Sequence, residues 1–377
     1  MSSELVSQGE SVSGINRHRK AAMIVITFNS FDMLPELVSS IRDFLADDIG
    51  NHVLVVENSS DVRVVDFIES GVASDRVHIN VAEDNAGFSH GVNLGYALAK
   101  ERWGSFDFVV LLNPDVLAAG RVLADLVNRA ARPSQAAVGI WSAVLTNERG
   151  ELDGGCARRS WNRRRFFCHL TGYRSFAPAL LTPPMSLTVN EIENDQGDLR
   201  MVSGALMCIR AVVFGDGLDV HLPMYLEDQE ISLRCLTKGY GIRIWPDLQS
   251  THIGGHSRRS NTHREQALQV MGMVESPIQC MSRFQGYRVG GMRLIVFLGG
   301  FSRFLIAPLA AGFRLVFRGA SLSSEIGWTA EKLRLASWFM RWSLNGRIHT
   351  EQVSLEDYFR EFETEGVRAS PPRRQLK

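Results

Sequence analysis

The sequence predicts an α/β domain with a mainly parallel central sheet flanked by helices, followed by an apolar helical extension. Three observations carry this. Short, β-branched apolar runs at 22–28, 53–56, 77–81 and 108–112 alternate with segments of helical period, the pattern of a sheet buried on both faces and wound by crossovers. Each run ends in a polar cluster, and in such sheets ligands bind beyond the carboxyl ends of the strands. Finally, 294–317 is a long apolar stretch in which Arg303, Pro308 and several glycines interrupt any simple membrane span.

Residues 1–20 read as a disordered leader without the apolar core of a signal peptide. The first strand, Ala22–Phe28, runs into Asn29-Ser30, and Met33–Phe44 follows with apolar residues at helical spacing. The second strand ends in Glu57-Asn58-Ser59-Ser60-Asp61. After the third, Asn85-Ala86-Gly87-Phe88-Ser89 opens a helix that Ser89 could cap. The fourth strand stops at Asn113-Pro114-Asp115, because Pro114 cannot continue a central ladder. Asp115 could hold Mg2+ or Mn2+ there, although a turn aspartate bonding its own backbone has the same composition. Asn29, Glu57, Asn58, Asp61, Asn85 and Asp115 all fall at strand ends, and that coincidence favours a ligand site.

The sheet is expected to continue through Ala137–Val144 to a hairpin turn at 147–150. Residues 151–200 form a variable excursion in which arginines interleave with aromatic residues, as they also do in solvated loops. Next, Glu227, Asp228 and Glu230 sit in the first turn of a predicted helix. The helix dipole favours acids there, and a carboxylate held rigidly at a helix start also suits a general base. A short strand at Ile242–Trp245 precedes His252-Ile253-Gly254-Gly255-His256-Ser257-Arg258, which suits a flexible loop closing on a metal-bound diphosphate.

Composition sets outer limits. The chain has 377 residues, 45% hydrophobic and 22% charged, with zero formal net charge. That balance gives no electrostatic case for nucleic acid. Five cysteines without a C-x-x-C pair suggest neither a disulfide framework nor a zinc site, and fit a reducing cytosol. Neither G-x-G-x-x-G nor G-x-x-x-x-G-K-[ST] occurs, so phosphates would need a metal or basic side chains. A nucleotidyltransferase, the alternative from another class, would carry a Gly- and Arg-rich first loop that 26–31 lacks.

The motifs taken together resemble the family 2 inverting glycosyltransferases of the GT-A fold, in the rhamnosyltransferase-like branch. They are Ile24–Asn29, Val55–Ser60, Asn85–Phe88 with Asn93, Leu112–Asp115, Gly204-Ala205, Tyr225–Asp228 with Arg234, and His252 with Gly255 and Ser257. The resemblance implies that Thr27, Asn29, Glu57, Asn58, Asp61, Asn85, Gly87, Phe88, Asn93 and Asn113 bind a nucleotide-sugar donor. It implies a divalent metal, Mg2+ or Mn2+, on Asp115 and His252, with Ser257 and Arg258 in a diphosphate loop. Asp228 matches the catalytic base, with Glu227, Gly204 and Arg234 in acceptor or supporting roles. The second strand ends Val-Glu-Asn where the family usually has Val-Asp-Asn, so Glu57 is one methylene longer. The implied reaction transfers a sugar, L-rhamnose from dTDP-rhamnose or a galactofuranose or hexosamine from UDP, to a lipid-linked or growing glycan.

The expected organisation is a glycosyltransferase domain at 21–262, a helical, membrane-proximal region at 263–365 and a disordered tail at 366–377. Arginines flanking 294–317 and tryptophans at 328, 338 and 342 favour an amphipathic anchor at the cytoplasmic face of a membrane. A soluble packing helix and a true span are the other readings.

Overall fold

The computed structural model describes residues 19–72, 74–117, 119–171, 185–194, 197, 199–254, 267–317, 321–346, 355 and 357–360. Residues 1–18 of the expected leader, the tail and the loop holding Ser257 and Arg258 lie outside the described residues, while Arg19 and Lys20 hydrogen-bond to Asp48 and Asp107.

The parallel half of the sheet forms as the alternation predicts. It contains β1 (Ala21–Thr27), β2 (Asn51–Glu57), β3 (Val77–Val81) and β4 (Phe108–Leu112), linked by α1 (Leu34–Asp47), α2 (Val62–Gly71) and α3 (Phe88–Trp103). Every residue of β1 and β4 is buried, which is why both read as unbroken apolar runs. After Asn113-Pro114-Asp115 the chain makes a short β5 (Val116–Leu117), then α4 (Ala119–Ala130) and β6 (Val138–Thr146). Two short strands, β7 (Ala157–Arg158) and β8 (Met201–Val202), pair with each other around α5 (Arg163–Thr171) and α6 (Val189–Asn194). Next come β9 (Leu206–Arg210), α7 (Ala211–Phe214), α8 (Glu227–Thr237) and β10 (Gly241–His252).

The eight strands are ordered β3-β2-β1-β4-β9-β6-β10-β5. Only β9 and β5 run against their neighbours. The antiparallel β9, inserted between β4 and β6, leaves β10 pointing the same way as β4, so both finish at one edge. The sequence showed only four residues of β10, because Pro246 interrupts the pattern. In the structure Pro246 sits where the register against β6 shifts, and the strand continues to His252. His252 is therefore a strand end paired with Val116, not part of a flexible loop.

Among the described residues, four non-glycines have left-handed backbone: Asn29, Ser60, Tyr225 and Leu226. They lie at the exits of β1 and β2 and directly before α8. Such conformations cost about 1–3 kcal/mol each and persist where the surroundings over-determine them. Gly87 has a φ of 106°, and a Cβ there would stand 2.6 Å from the Pro223 carbonyl oxygen. Gly87→Ala is therefore expected to destabilise the fold by about 2 kcal/mol or more, read as a lowered denaturant midpoint.

The C-terminal region is a helical layer: α9 (Ser276–Gln285), α10 (Val289–Phe317) and α11 (Leu322–Asn345). Helix α10 runs through Pro308 without breaking. It is pressed between α5 and α11: Cβ atoms on Gly299 and Gly300 would come within 2.5 Å of Leu170 Cβ and 2.9 Å of the Ala336 carbonyl oxygen. Elsewhere α10 exposes Leu298, Phe301, Leu305, Leu309 and Phe313. By length and composition, Val289–Val316 could cross a membrane.

Candidate active site

The ends of β1 and β2 are fastened to each other. Thr27 Oγ1 donates to Glu57 Oε2 at 2.5 Å, while Glu57 Oε1 accepts from the Ser59 amide, also at 2.5 Å, and from the Ser59 hydroxyl. Both Thr27 and Glu57 are 0% exposed. Glu57 thus braces the strand exits, and the longer carboxylate reaches both loops. Asn29 and Ser60 are the exposed residues of this pair of turns, and Asn58 is buried against Gly91 of α3. Asp61 caps α2, accepting from the Arg63 amide.

The 85–93 segment serves the same framework. Asn85 Oδ1 accepts from the Gly87 amide at 3.1 Å, an Asx turn, and Phe88 follows as the first residue of α3. Ser89 does not cap α3; Gly87 holds that position, and the Ser89 hydroxyl donates to the Leu222 carbonyl at 2.6 Å. Asn93 uses both ends of its carboxamide on the Leu218 backbone, at 2.9 and 2.7 Å, so it anchors the loop leading to α8 rather than standing free for a ligand. Arg234 likewise grips Glu230 and the carbonyls of Phe214 and Gly217, which places it in support of α8.

Around Asp115 a three-residue array appears. His252 Nε2 lies 3.5 Å from Asp115 Oδ1, and His252 Nδ1 lies 2.6 Å from Asp153 Oδ2. Burial opposes charge on this imidazole, but hydrogen bonds to Asp115 and Asp153 outweigh it and hold the pKa at about 9. The hydrogen bond from His252 lowers the Asp153 pKa. The Asp115 carbonyl also accepts from the Ile253 amide, locking the β4 exit to the end of β10. Asn113 donates its amide to the Ala205 carbonyl, tying this exit to the turn that contains Gly204.

Asp228 stands on the other side of that turn. A Cβ on Gly204 would lie 3.5 Å from Asp228 Cβ, so the glycine keeps space beside the carboxylate. Asp228 is 8% exposed. Its Oδ2 accepts from Arg158 Nη2 at 2.7 Å and its Oδ1 from the Gln229 amide at 2.8 Å. Both oxygens keep a second lone pair. Burial, and then the neighbouring Asp228 charge, push Glu227 up to about 8. Glu227 therefore holds a proton at neutral pH.

Sequence reasoning missed Asp153 and the role of Arg158. Residues 153–158 carry both, and one short loop therefore holds His252 at one end and Asp228 at the other. The signal available was an acid followed by two glycines just before the arginine cluster, in a segment otherwise read as excursion.

Among curated protein sequences, none matches the chain. Many solved structures show a broad likeness to the chain, three of which follow. A mannosyltransferase from Pyrobaculum calidifontis, in complex with GDP-Man and Mn2+, has a TM-score of 0.48 at 15% identity, covering 93% of this chain and 88% of that one. Glucosyl-3-phosphoglycerate synthase from Mycobacterium tuberculosis has a TM-score of 0.42 at 12% identity, covering 72% and 82%. TarS 1–349 from S. aureus has a TM-score of 0.41 at 12% identity, covering 87% and 92%. Residues 22–171, running from β1 through α5, match the family model "Glycosyl transferase family 2". That segment resembles the glycosyl transferase family 2 domain over less than half of the chain, and the fold around it is α/β with a mainly parallel central sheet.

Proposed function

We propose that the protein is an inverting, metal-dependent glycosyltransferase that uses a nucleotide sugar and a single carboxylate base, Asp228. The observation that carries the mechanism is the loop 153–158, which fastens the Asp115–His252 pair and Asp228 into one framework. The exits of β1 and β2, with exposed Asn29 and the neighbouring Asn58, are the seat of the nucleoside. The Asn113-Pro114-Asp115 pattern favours dTDP-rhamnose as the donor, ahead of UDP-linked sugars.

Among the described residues, no group of three or more His, Cys, Asp and Glu side chains converges on a metal position. Asp115 Oδ1 and His252 Nε2 would be the two protein ligands for Mg2+ or Mn2+, the cation displacing the proton that His252 carries at neutral pH. The second imidazole nitrogen is already held by a carboxylate, as it commonly is in metal sites. A cation there would offset charge on the departing diphosphate. In the chemical step, Asp228 takes the proton from an acceptor hydroxyl as that oxygen bonds to the anomeric carbon. The bond from that carbon to the nucleoside diphosphate breaks on the opposite face. One displacement inverts the configuration and needs no second nucleophile. Arg158 and the Gln229 amide fix the carboxylate's orientation through this step.

The exposed apolar stripe of α10 supports a peripheral membrane position, with the acceptor presented from the bilayer surface. A calorimetric donor screen with and without Mn2+ tests the central reading. The expected result is metal-enhanced binding of dTDP-rhamnose or a UDP-sugar. If no sugar nucleotide binds under either condition, the reading fails.

A further inference from the structure

We propose that the cavity between α8 and the C-terminal helices is the acceptor site, and that it takes a phosphate-bearing amphiphile anchored by Arg303. The word acceptor rests on the glycosyltransferase reading; the anion seat rests on the geometry that follows.

The cavity has a volume of about 720 Å³, within the range of small-molecule sites. Asp228 and Glu227 line it from α8, Trp161 and His169 from the α5 region, Arg303 from α10, and Lys332 from α11. The candidate base therefore faces the same space as the C-terminal helices.

The charges in this space do not cancel. Arg158 is paired with Asp228 at 2.7 Å, Lys332 with Glu331 at 2.7 Å, and Glu227 holds a proton at neutral pH. Arg303 makes no ion pair among the described residues. It is 7% exposed, and its one hydrogen bond runs from Nη2 to the His169 carbonyl at 3.0 Å. Among the described residues its Nε and the Trp161 Nε1 are both enclosed donors without a partner. A buried guanidinium with an unused donor, in a cavity lined by a second unused donor, is costly unless something supplies acceptor oxygens. A phosphate supplies them and matches the fork of Arg303.

The remaining wall is apolar. Ile306, Ala307, Ala310 and Leu335 line it with Met273 and Trp328. On α10 these positions adjoin Leu305 and Leu309, which are 53% and 75% exposed. A hydrocarbon chain whose phosphate sits on Arg303 thus has a continuous apolar path from the cavity to the outer face of the helix. A free sugar phosphate would leave this wall unused, so the lipid-borne source is favoured.

The test titrates the full chain with farnesyl phosphate, farnesol and inorganic phosphate, each below its aggregation concentration, following tryptophan fluorescence. Farnesyl phosphate is expected to bind at least tenfold more tightly than either other probe. Arg303→Gln should weaken farnesyl phosphate at least tenfold and leave farnesol unchanged. Because a buried arginine also supports its surroundings, Ala310→Phe serves as an independent probe that fills the cavity from its apolar side. It should weaken farnesyl phosphate to a similar degree while calorimetric binding of the sugar nucleotide with Mn2+ stays at the wild-type value. Equal affinity for farnesol and farnesyl phosphate, or unchanged binding in folded Ala310→Phe, would overturn the proposal. Inorganic phosphate binding as tightly as farnesyl phosphate would reduce the site to an anion seat and remove the lipid assignment. Binding of farnesyl phosphate without binding of any sugar nucleotide would instead sink the glycosyltransferase reading and leave the pocket standing.

Discussion

Asp228→Asn is expected to lower turnover by about 10³-fold, equivalent to ~4 kcal/mol of barrier, with donor binding within about twofold of wild type. Asparagine keeps the shape of the side chain but only one acceptor oxygen, for Arg158 or for the Gln229 amide and not for both, so the denaturant midpoint is measured beside the rates. What disappears, on the proposed reading, is the group that receives the hydroxyl proton. Glu227→Gln is the matched control. Its carboxyl is already protonated at neutral pH because burial and the Asp228 charge hold it at about 8. The amide therefore mimics the working state, and turnover at pH 7 stays within about threefold. Glu227→Gln tracks wild type below pH 8 and departs from it above, where wild-type Glu227 loses its proton and the variant cannot. Initial transfer rates across pH 6–9, with calorimetric donor affinities, decide the matter. Turnover within tenfold for Asp228→Asn would return the base role to Glu227 or to a group not yet named.

Asp115→Asn is expected to weaken donor binding in Mn2+ by about 100-fold, ~2.7 kcal/mol, and to remove the difference between metal and no metal. The substitution is nearly isosteric, and the backbone carbonyl of residue 115 still accepts from Ile253, so folding is spared. Asp153→Asn gives the graded comparison. Asp153 touches His252 and not the cation position, so a loss of about 10-fold or more in Mn2+ affinity is expected, with the metal requirement retained. Equal, metal-independent donor binding in wild type and Asp115→Asn would strip Asp115 of its role and leave Asp228 untouched.

The parallel half of the sheet was legible because each strand there is buried on both faces and announces itself as an apolar run. The antiparallel β9 and the full length of β10 were not legible. Strand direction leaves no mark on composition, and Pro246 at a register shift looks like an ending. Within the candidate site, Asp115, Asp228 and His252 stood out because each lies in a polar cluster at an element's end. Asn93 and Glu57 matched the same expectations by type, yet their polar atoms meet the protein's own backbone and hydroxyls. Pairings across 99 and 70 residues of chain, such as Asp153 with His252 and Arg158 with Asp228, cannot be inferred from local pattern. The left-handed Tyr225-Leu226 pair is another such feature, since nothing in those side chains advertises the turn that aims α8.

The Arg158–Asp228 ion pair has a further consequence, for water. A nucleotide sugar bound without its acceptor is exposed to hydrolysis, and any carboxylate beside the anomeric carbon could activate water to do it. On the proposed reading, a guanidinium and an amide hold that carboxylate in one orientation, so it takes a proton only from a nucleophile presented along its remaining lone pairs. An acceptor seated in the adjoining cavity is presented that way, and a stray water is not. The clamp would thus make the placement of the nucleophile, and not the mere presence of a hydroxyl, the condition for using the donor.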